Sequence, residues 1–439
     1  MDSQTASSAK HTHGSLPPVP RKIGDLGIPE PVVIDLILRR AQIEGTTSLG
    51  SLSHALKLSP GIVSAVFRQL QQQQLVEVRG MVGEDYAFQL TSAGLKLAAD
   101  RRELCHYAGP APVSLPDYSR IVRAQAAKVK LDMGGLREVF SDLVVTDEQL
   151  SQLGPALVSQ TSLFLYGPTG NGKTSLAERL PRIYRDLVFV PYAVEVDGQV
   201  IVVYDPVVHE RADYEGHEFD GRYVPCRRPF LAVGGEMTSA MLELRVDPAS
   251  RIYAAPLQMK ANNGILVIDD FGRQVVSPRK LLNRWIVPLD RRVDHLSLSY
   301  GVKFSIPFEL MVVFSTNLNP RRLADEAFLR RIHNKVYVGA VEPPVFDEIL
   351  RRVALSRGLA YSPEVAALLR DLCWKAGCTE LRACYPGDLC RVAESIASFE
   401  DRPAELCAGD LERAVALYFT RSEPESAAVE PGPQDKAGD

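Results

Sequence analysis

Apolar positions in residues 29–104 follow two different periods. In residues 31–44, in residues 49–58 and again from residue 60, they recur every three or four positions, which predicts three amphipathic helices. "SPG" at residues 59–61 supplies an N-cap and a proline at the first helical position, and "LTSAG" begins a fourth helix. "LVEVRG" and "YAFQL" alternate instead, which predicts a hairpin around residues 81–85. This segment is therefore predicted to be a small α+β domain.

Three unbroken apolar runs further along the chain predict buried strands. They lie in "LFLYG", in "ILVIDD" and in "FELMVVFSTN", and such runs are typical of strands covered on both faces of a parallel sheet. Between the first two, "VEVDGQVIVVYD" contains Asp197 and Gly198, a pair that predicts a hairpin turn. Alternation in "DHLSLSY" and "VKFSI" predicts a second hairpin around Gly301. The sequence therefore predicts an α/β core that carries a β-rich insert.

The remaining segments complete the predicted organisation. Helical periodicity returns after Pro343, in residues 346–357, 362–374, 387–400 and 410–419, whereas "GPAPVSLP" has the composition of a linker. The polar, proline-containing ends cannot bury enough apolar surface to fold. The predicted domains are a disordered leader (1–28), the α+β domain (29–104), a linker with a connecting helix at 118–131 (105–135), the α/β core (136–340) with its insert (about 187–253), a helical lid (341–421) and a disordered acidic tail (422–439).

Composition and charge exclude several classes of protein. The chain is 46% hydrophobic and 24% charged with a net charge of −4, which argues against bulk nucleic acid or an anionic membrane as the main partner. No apolar run approaches the ~20 residues that span a bilayer, and the N-terminus lacks the apolar centre of a signal peptide. We therefore expect a cytoplasmic protein without membrane insertion. The seven cysteines are expected to be reduced, and those near residues 373–390 to be small buried side chains.

"LFLYGPTGNGKTS" carries the clearest chemical signal. A strand followed by glycines and Gly-Lys-Thr at this spacing predicts a P-loop, in which backbone N–H groups surround phosphate, Lys173 contacts the terminal phosphates and the Thr174 hydroxyl binds magnesium. The predicted nucleotide-binding residues are Gly167, Pro168, Thr169, Gly170, Asn171, Gly172, Lys173, Thr174 and Ser175.

Polar residues end the two later strands. A strand ending in Asp269 and Asp270 is expected beside the P-loop strand, with Asp269 holding Mg²⁺ and Asp270 next to the attacking water. Asn317, at the end of the third strand, is expected to orient that water. The sequence thus predicts ATP and Mg²⁺ as ligands.

Together these motifs resemble the AAA+ ATPase superfamily, and the resemblance covers residues 136–421. The hairpin before Asn317 resembles the branch that contains MoxR-type and magnesium-chelatase-like ATPases. The resemblance implies a hexameric ring, a protein client and an arginine finger at Arg331 or Arg330. It also implies a nucleotide-contacting arginine in the lid, at Arg391 or at Arg382. The chain lacks the GAFTGA loop of sigma-factor activators, and it has Asp270 where these ATPases usually have glutamate.

Residues 29–104 resemble a winged helix, but their charge pattern does not favour DNA binding. Residues 21–104 contain ten Lys or Arg against nine Asp or Glu, Arg68 is the basic residue of the third helix, and the predicted wing tip carries Glu84 and Asp85. Acidic residues there would repel phosphate. A protein-docking role is therefore favoured, and DNA binding stays open.

Three functions remain. The leading one is an oligomeric ATPase that remodels or assembles a protein partner. The second is a DNA-bound regulator whose oligomerisation is switched by ATP. The third is a nucleotide-binding switch without turnover, suggested by Asp270 in place of glutamate.

Overall fold

The computed structural model describes residues 16–83, 85–323 and 326–419. The chain divides into two compact units. The second unit contains Asp142–Val145, Pro168–Gly172 and the chain from Val338 onward, and the first unit contains the remainder.

The first unit contains both helices and strands. Its helices are α1 (Glu30–Glu44), α2 (Leu49–Leu56), α3 (Pro60–Gln72), α4 (Ser92–Leu104), α5 (Leu115–Ala124), α6 (Met133–Val139), α7 (Asp147–Ser159), α8 (Lys173–Arg179), α9 (Leu257–Lys260), α10 (Pro278–Arg291), α11 (Pro320–Leu323) and α12 (Glu326–Leu329). Its strands are β1 (Thr46–Ser48), β2 (Val76–Val82), β3 (Asp85–Leu90), β4 (Val113–Ser114), β5 (Leu163–Tyr166), β6 (Leu187–Pro191), β7 (Ala193–Val196), β8 (Gln199–Val202), β9 (Tyr223–Arg227), β10 (Phe230–Val233), β11 (Arg245–Val246), β12 (Tyr253–Ala254), β13 (Ile265–Ile268), β14 (Val293–Ser297), β15 (Lys303–Pro307), β16 (Met311–Thr316) and β17 (Asn334–Tyr337).

A five-stranded parallel sheet forms the centre of the first unit. Its order is β10-β13-β16-β5-β17, and every residue of β13 and β16 is buried, as the unbroken apolar runs predict. The α/β fold class is therefore confirmed. The expected neighbour of β5 was wrong, however, because β16 lies between β5 and β13 and pairs with both.

Aromatic side chains pack on this sheet. Phe164, Phe271 and Phe314 form a cluster with ring centroids 5.1–5.9 Å apart. Trp285, fully buried on α10, packs against Phe314. Since aromatic side chains bury the largest apolar areas, this cluster holds α10 and the turn that follows β13 against the sheet.

The N-terminal segment has the predicted order of helices and a hairpin, with one additional strand. β1, between α1 and α2, completes an antiparallel sheet of order β1-β3-β2. Phe67 of α3 contacts Phe88 of β3 at 4.7 Å between ring centroids, so the helices cover one face of this sheet. Glu84 of the predicted wing tip lies outside the described residues.

Residues 105–135, predicted as a linker, are largely packed. β4 pairs in parallel with β7, which makes it an edge strand of a second sheet of order β11-β12-β8-β7-β4. The N–H of Ala111 donates to the carbonyl of Leu56 at 2.8 Å. The connecting helix α5 is also shorter than the predicted span of 118–131. Local composition suggested a free segment, whereas pairing across the chain holds it in place.

Two further boundaries differ from the predictions. Residues 16–28, assigned to a disordered leader, are packed: Leu26 is fully buried, and the carbonyl of Pro17 accepts a hydrogen bond from the N–H of Asp220. Residues 1–15 and the predicted tail lie outside the described residues. β10 lies within the predicted insert yet belongs to the parallel sheet, so the insert is not a separate β segment.

The second unit is helical. Its helices are α13 (Pro343–Ser356), α14 (Pro363–Lys375), α15 (Tyr385–Phe399) and α16 (Ala408–Tyr418), and each overlaps a helix predicted from the sequence. Buried Phe346, Leu369, Leu389 and Leu411 contribute to one apolar core. Within the described parts of the chain, no helix is both long and apolar enough to cross a membrane.

Candidate nucleotide-binding site

The glycine-rich loop after β5 depends on backbone conformations that favour glycine. Gly167, Gly170 and Gly172 have φ values of 140°, 81° and 85°, a region that side chains with a Cβ rarely adopt. Within the second unit, a Cβ on Gly170 would lie only 2.6 Å from Sγ of Cys384. The glycines therefore allow both the turns of the loop and its close packing.

Lys173 is the first residue of α8, and its side chain folds back toward the start of the loop. Its Nζ donates a hydrogen bond to the carbonyl of Gly167 at 2.9 Å, and the residue is only 9% exposed. Burial lowers the pKa of Lys173, while the negative charges of Asp269 and Asp270 act in the opposite direction. Lys173 is therefore buried although it borders a loop.

The structure brings together the two residues predicted to bind metal. Oγ1 of Thr174 donates a hydrogen bond to Oδ2 of Asp269 at 2.7 Å. The N–H of Asp269 donates to the carbonyl of Val233 at 2.8 Å, which continues the pairing of β13 with β10. A hydroxyl and a carboxylate at adjacent positions are oxygen ligands of the kind that Mg²⁺ prefers. This pair fits a magnesium site.

Asp270 is exposed and has a left-handed backbone, with φ of 48°. Among residues with a side chain, Asp and Asn tolerate this region best. Its N–H donates to Oδ1 of Asp269 at 2.9 Å, so the backbone of Asp270 helps to orient the neighbouring carboxylate. The left-handed conformation gives a physical reason for aspartate, rather than glutamate, at this position.

Asn317 directly follows β16 and is half-buried. Its Oδ1 is buried and has no hydrogen-bond partner among the described residues. An unpaired buried acceptor is costly unless another donor satisfies it. Because β16 is parallel to β13 and β5, Asn317 lies at the same sheet edge as Asp269 and Gly167. Its free acceptor fits an ordered water or a bound ligand there.

The two candidate finger arginines differ in exposure. Arg330, which directly follows α12, is exposed, whereas Arg331 is half-buried. The carbonyl of Arg331 accepts a hydrogen bond from Oγ of Ser162 at 3.3 Å, which fixes its backbone near β5. Of the two side chains, that of Arg330 is the more accessible to another molecule.

Three consecutive residues before α15 contact the loop residues of the second unit. Nη1 of Arg382 lies 3.5 Å from Oγ1 of Thr169. The N–H of Ala383 donates to Oδ1 of Asn171 at 3.3 Å, and the N–H of Cys384 donates to the carbonyl of Gly170 at 2.9 Å.

Of the two lid arginines considered from the sequence, it is Arg382 that reaches the loop. Arg391 is exposed on α15, where its carbonyl accepts a hydrogen bond from Ser395. Pro168 is half-buried and Thr169 exposed in the loop, and Ser175 is half-buried on α8.

No sequence motif selects Gln274. It is nevertheless buried in the turn that follows Asp270 and hydrogen-bonds to both ends of that turn. The only signal would have been a glutamine two residues after Gly272, where a polar side chain can bond to a turn.

Both ring nitrogens of the buried His209 contact backbone groups. Its Nδ1 accepts from the N–H of Asp205 at 2.9 Å, and its Nε2 lies 2.8 Å from the carbonyl of Lys260.

Comparison with known proteins gives a distant likeness. Residues 342–417 match the family model "Domain of unknown function (DUF8689)", and no curated protein matches the sequence. Among solved structures, the chain is similar to a P216G mutant of RuvB from Thermotoga maritima, with 10% identity over 66% of this chain and 73% of that one at a TM-score of 0.35. It is also similar to NtrX from Brucella abortus in complex with ADP, with 16% identity over 76% of this chain and 69% of that one at a TM-score of 0.39.

Proposed function

We propose that this protein binds ATP with Mg²⁺ and hydrolyses it. The observation that carries the proposal is the hydrogen bond between Thr174 and Asp269, which joins a P-loop hydroxyl to a strand-end carboxylate from a distant part of the sequence. Buried Lys173 supplies a positive charge in the same unit. A strand, a glycine-rich loop and a helix with these groups suit a nucleotide triphosphate.

Each side chain has a distinct role in this proposal. Lys173 contacts the terminal phosphates, and Thr174 and Asp269 hold Mg²⁺, which when bound neutralises charge on phosphate oxygens. The carboxylate of Asp270 orients the attacking water or accepts a proton from that water. Asn317 offers its unpaired Oδ1 to the same water.

We propose further that turnover requires an oligomer. The resemblance to AAA+ ATPases suggests a hexameric ring in which an arginine of one subunit reaches the phosphate of its neighbour, and the exposure of Arg330 favours it over Arg331. Of the two lid arginines, Arg382 rather than Arg391 takes the nucleotide-contacting role, because it lies next to Thr169. The energy of hydrolysis then serves to remodel or assemble a protein partner.

The N-terminal segment favours a protein rather than DNA as its ligand. Val78, Met81 and Tyr86 on the β2–β3 hairpin are 41%, 61% and 48% exposed, and exposed apolar side chains suit a protein contact better than phosphate. At the N-terminal end of α3, a cleft of about 250 Å³ is lined by Lys57, Glu218 and Asp220, and Asp220 is paired with Arg222. This cleft is not the basic surface that binding to DNA requires.

Phosphate release from ATP by the purified full-length protein, with Mg²⁺ or with EDTA, tests the activity. Wild type should release phosphate only with Mg²⁺. Asp269→Asn should release little phosphate with either Mg²⁺ or EDTA. Equal rates with Mg²⁺ and EDTA would contradict the metal assignment. Titration of the full chain with duplex DNA at several salt concentrations tests the DNA alternative, and a steep fall in affinity with salt would support it.

A further inference from the structure

Gln274 bridges the turn that follows β13. Its Nε2 donates a hydrogen bond to the carbonyl of Asp269 at 2.7 Å, and its Oε1 accepts one from the N–H of Gly272 at 2.8 Å. The residue is 8% exposed. One amide side chain therefore satisfies two backbone groups on either side of Asp270 and Phe271.

The turn needs such support because its backbone is unusual. Asp270 and Gly272 have φ values of 48° and 106°, and a non-glycine residue in the left-handed region persists only where its surroundings hold it there. Phe271, between them, is anchored to β16: its N–H donates to the carbonyl of Ser315 at 2.7 Å, and its carbonyl accepts from Oγ1 of Thr316 at 2.6 Å. The N–H of Arg273 donates to the carbonyl of Asp270 at 2.9 Å, and Gln274 adds a side-chain constraint on the same side of the turn.

We propose that Gln274 is a positioning residue for ATP hydrolysis, which it serves by holding the main chain from which the Asp269 and Asp270 carboxylates extend. This inference rests on the proposed ATPase function. Gln274 has no role in the sequence motifs, and it acts through Asp269 and Asp270 rather than on the substrate. Carboxylates must be held within a fraction of an ångström to act efficiently.

The consequence of losing Gln274 follows from the hydrogen bonds that disappear. Gln274→Met keeps a side chain of similar length but can neither donate to Asp269 nor accept from Gly272. A displacement of about 1 Å at a reacting group costs on the order of 100-fold in rate. We therefore expect kcat to fall by about 10-fold to 100-fold. KM for ATP with Mg²⁺ should rise by a smaller factor, which reflects the weaker hold on Mg²⁺, because Lys173 is untouched.

Gln125 offers a matched control in the same unit. It is 6% exposed, and its Oε1 accepts from the N–H of Phe189 at 2.6 Å. Its Nε2 lies 3.3 Å from the carbonyl of Phe189 and 3.4 Å from Oδ1 of Asn263. Gln125→Met thus removes a buried glutamine that bridges backbone groups away from the proposed site. A purely structural effect of burying methionine should appear equally in both variants.

The experiment compares wild type, Gln274→Met and Gln125→Met as full-length proteins. Measurements are Tm, kcat, KM, and ATP affinity with and without Mg²⁺. Both variants should lose a similar amount of Tm, but only Gln274→Met should lose kcat. Without Mg²⁺ its ATP affinity should equal that of wild type, and the gain in affinity on adding Mg²⁺ should be smaller, because Asp269 is less well held.

Gln274→Glu distinguishes the two hydrogen bonds. It keeps an acceptor for the N–H of Gly272 but replaces the donor to Asp269 with a carboxylate oxygen. If the donor positions Asp269, this variant should lose kcat as strongly as Gln274→Met.

The outcomes separate this inference from the function on which it rests. If wild type hydrolyses ATP and Gln274→Met keeps its kcat and its Mg²⁺-dependent affinity, the positioning role is wrong and the ATPase assignment stands. An equal loss of kcat in Gln125→Met would also overturn the role. If wild type releases no phosphate, the proposed ATPase function fails, and the Mg²⁺-dependent affinity of Gln274→Met still decides whether this residue positions Asp269.

Discussion

Substitution of Asp270 by asparagine tests whether this protein turns ATP over or only binds it. Asparagine has the same shape as aspartate and also tolerates the left-handed backbone at φ of 48°. The hydrogen bond from residue 270 to Oδ1 of Asp269 comes from the backbone N–H, so it survives the change. The variant therefore removes the carboxylate with little other disturbance.

The expected loss is in kcat alone. General acid–base catalysis by a positioned side chain contributes about 10²- to 10⁴-fold, which corresponds to roughly 2.7–5.4 kcal/mol of activation free energy. ATP affinity should be retained, because Lys173 and the glycine-rich loop are unchanged. If the oligomer dissociates only after hydrolysis, Asp270→Asn should also stabilise the assembled form.

The assay is steady-state phosphate release with Mg²⁺, alongside ATP binding and sedimentation of the oligomer. Asp401→Asn is a matched control, since Asp401 is exposed and left-handed with φ of 54°. If assembled wild type released phosphate no faster than Asp270→Asn, Asp270 would have no catalytic role. A nucleotide-binding switch would then be the better description.

Asp270→Glu is the complementary variant. It should remain active because the carboxylate is kept. However, the short aspartate side chain can form local hydrogen bonds that offset the cost of a left-handed backbone, and glutamate cannot. For an ordinary residue this cost is roughly 1–2 kcal/mol. We therefore expect a lower free energy of unfolding, measured by urea denaturation. A variant as stable as wild type would contradict the backbone explanation for aspartate.

Three further predictions concern other parts of the chain. Lys173→Ala should abolish ATP binding and, because Lys173 is 9% exposed, also lower Tm slightly; unchanged ATP affinity in the folded variant would refute the site. Arg330→Ala should bind ATP without turnover and regain some phosphate release when mixed with Lys173→Ala, whereas recovery with Arg331→Ala alone would move the finger by one residue. Burial lowers the pKa of His209, so the folded state favours the neutral imidazole. The contribution of His209 to the free energy of unfolding is therefore present above the unfolded pKa of about 6.5. It is lost as the pH falls below that value, by at most about 1.4 kcal/mol per pH unit. Tm measured between pH 7.5 and 5 should fall less steeply in His209→Gln.

The sequence by itself determined the features that depend on local chemistry. Glycines at 167, 170 and 172 permit positive φ, and the unbroken apolar runs of β13 and β16 identify buried strands, because backbone freedom and side-chain period are properties of neighbouring residues. The hairpin turn at Asp197 and Gly198, with φ of 51° and 75°, was predictable for the same reason. So were the helices of the second unit.

The tertiary structure decided how distant segments meet. The position of β16 between β5 and β13 depends on pairing among strands far apart in sequence, and so does the incorporation of β4 into the sheet with β7. The contact of Arg382 with Thr169 and the bridge made by Gln274 depend on the path of the folded chain. Local composition carries no information on these pairings, because many arrangements satisfy the same apolar periods. Packing and backbone hydrogen bonding together select one of them.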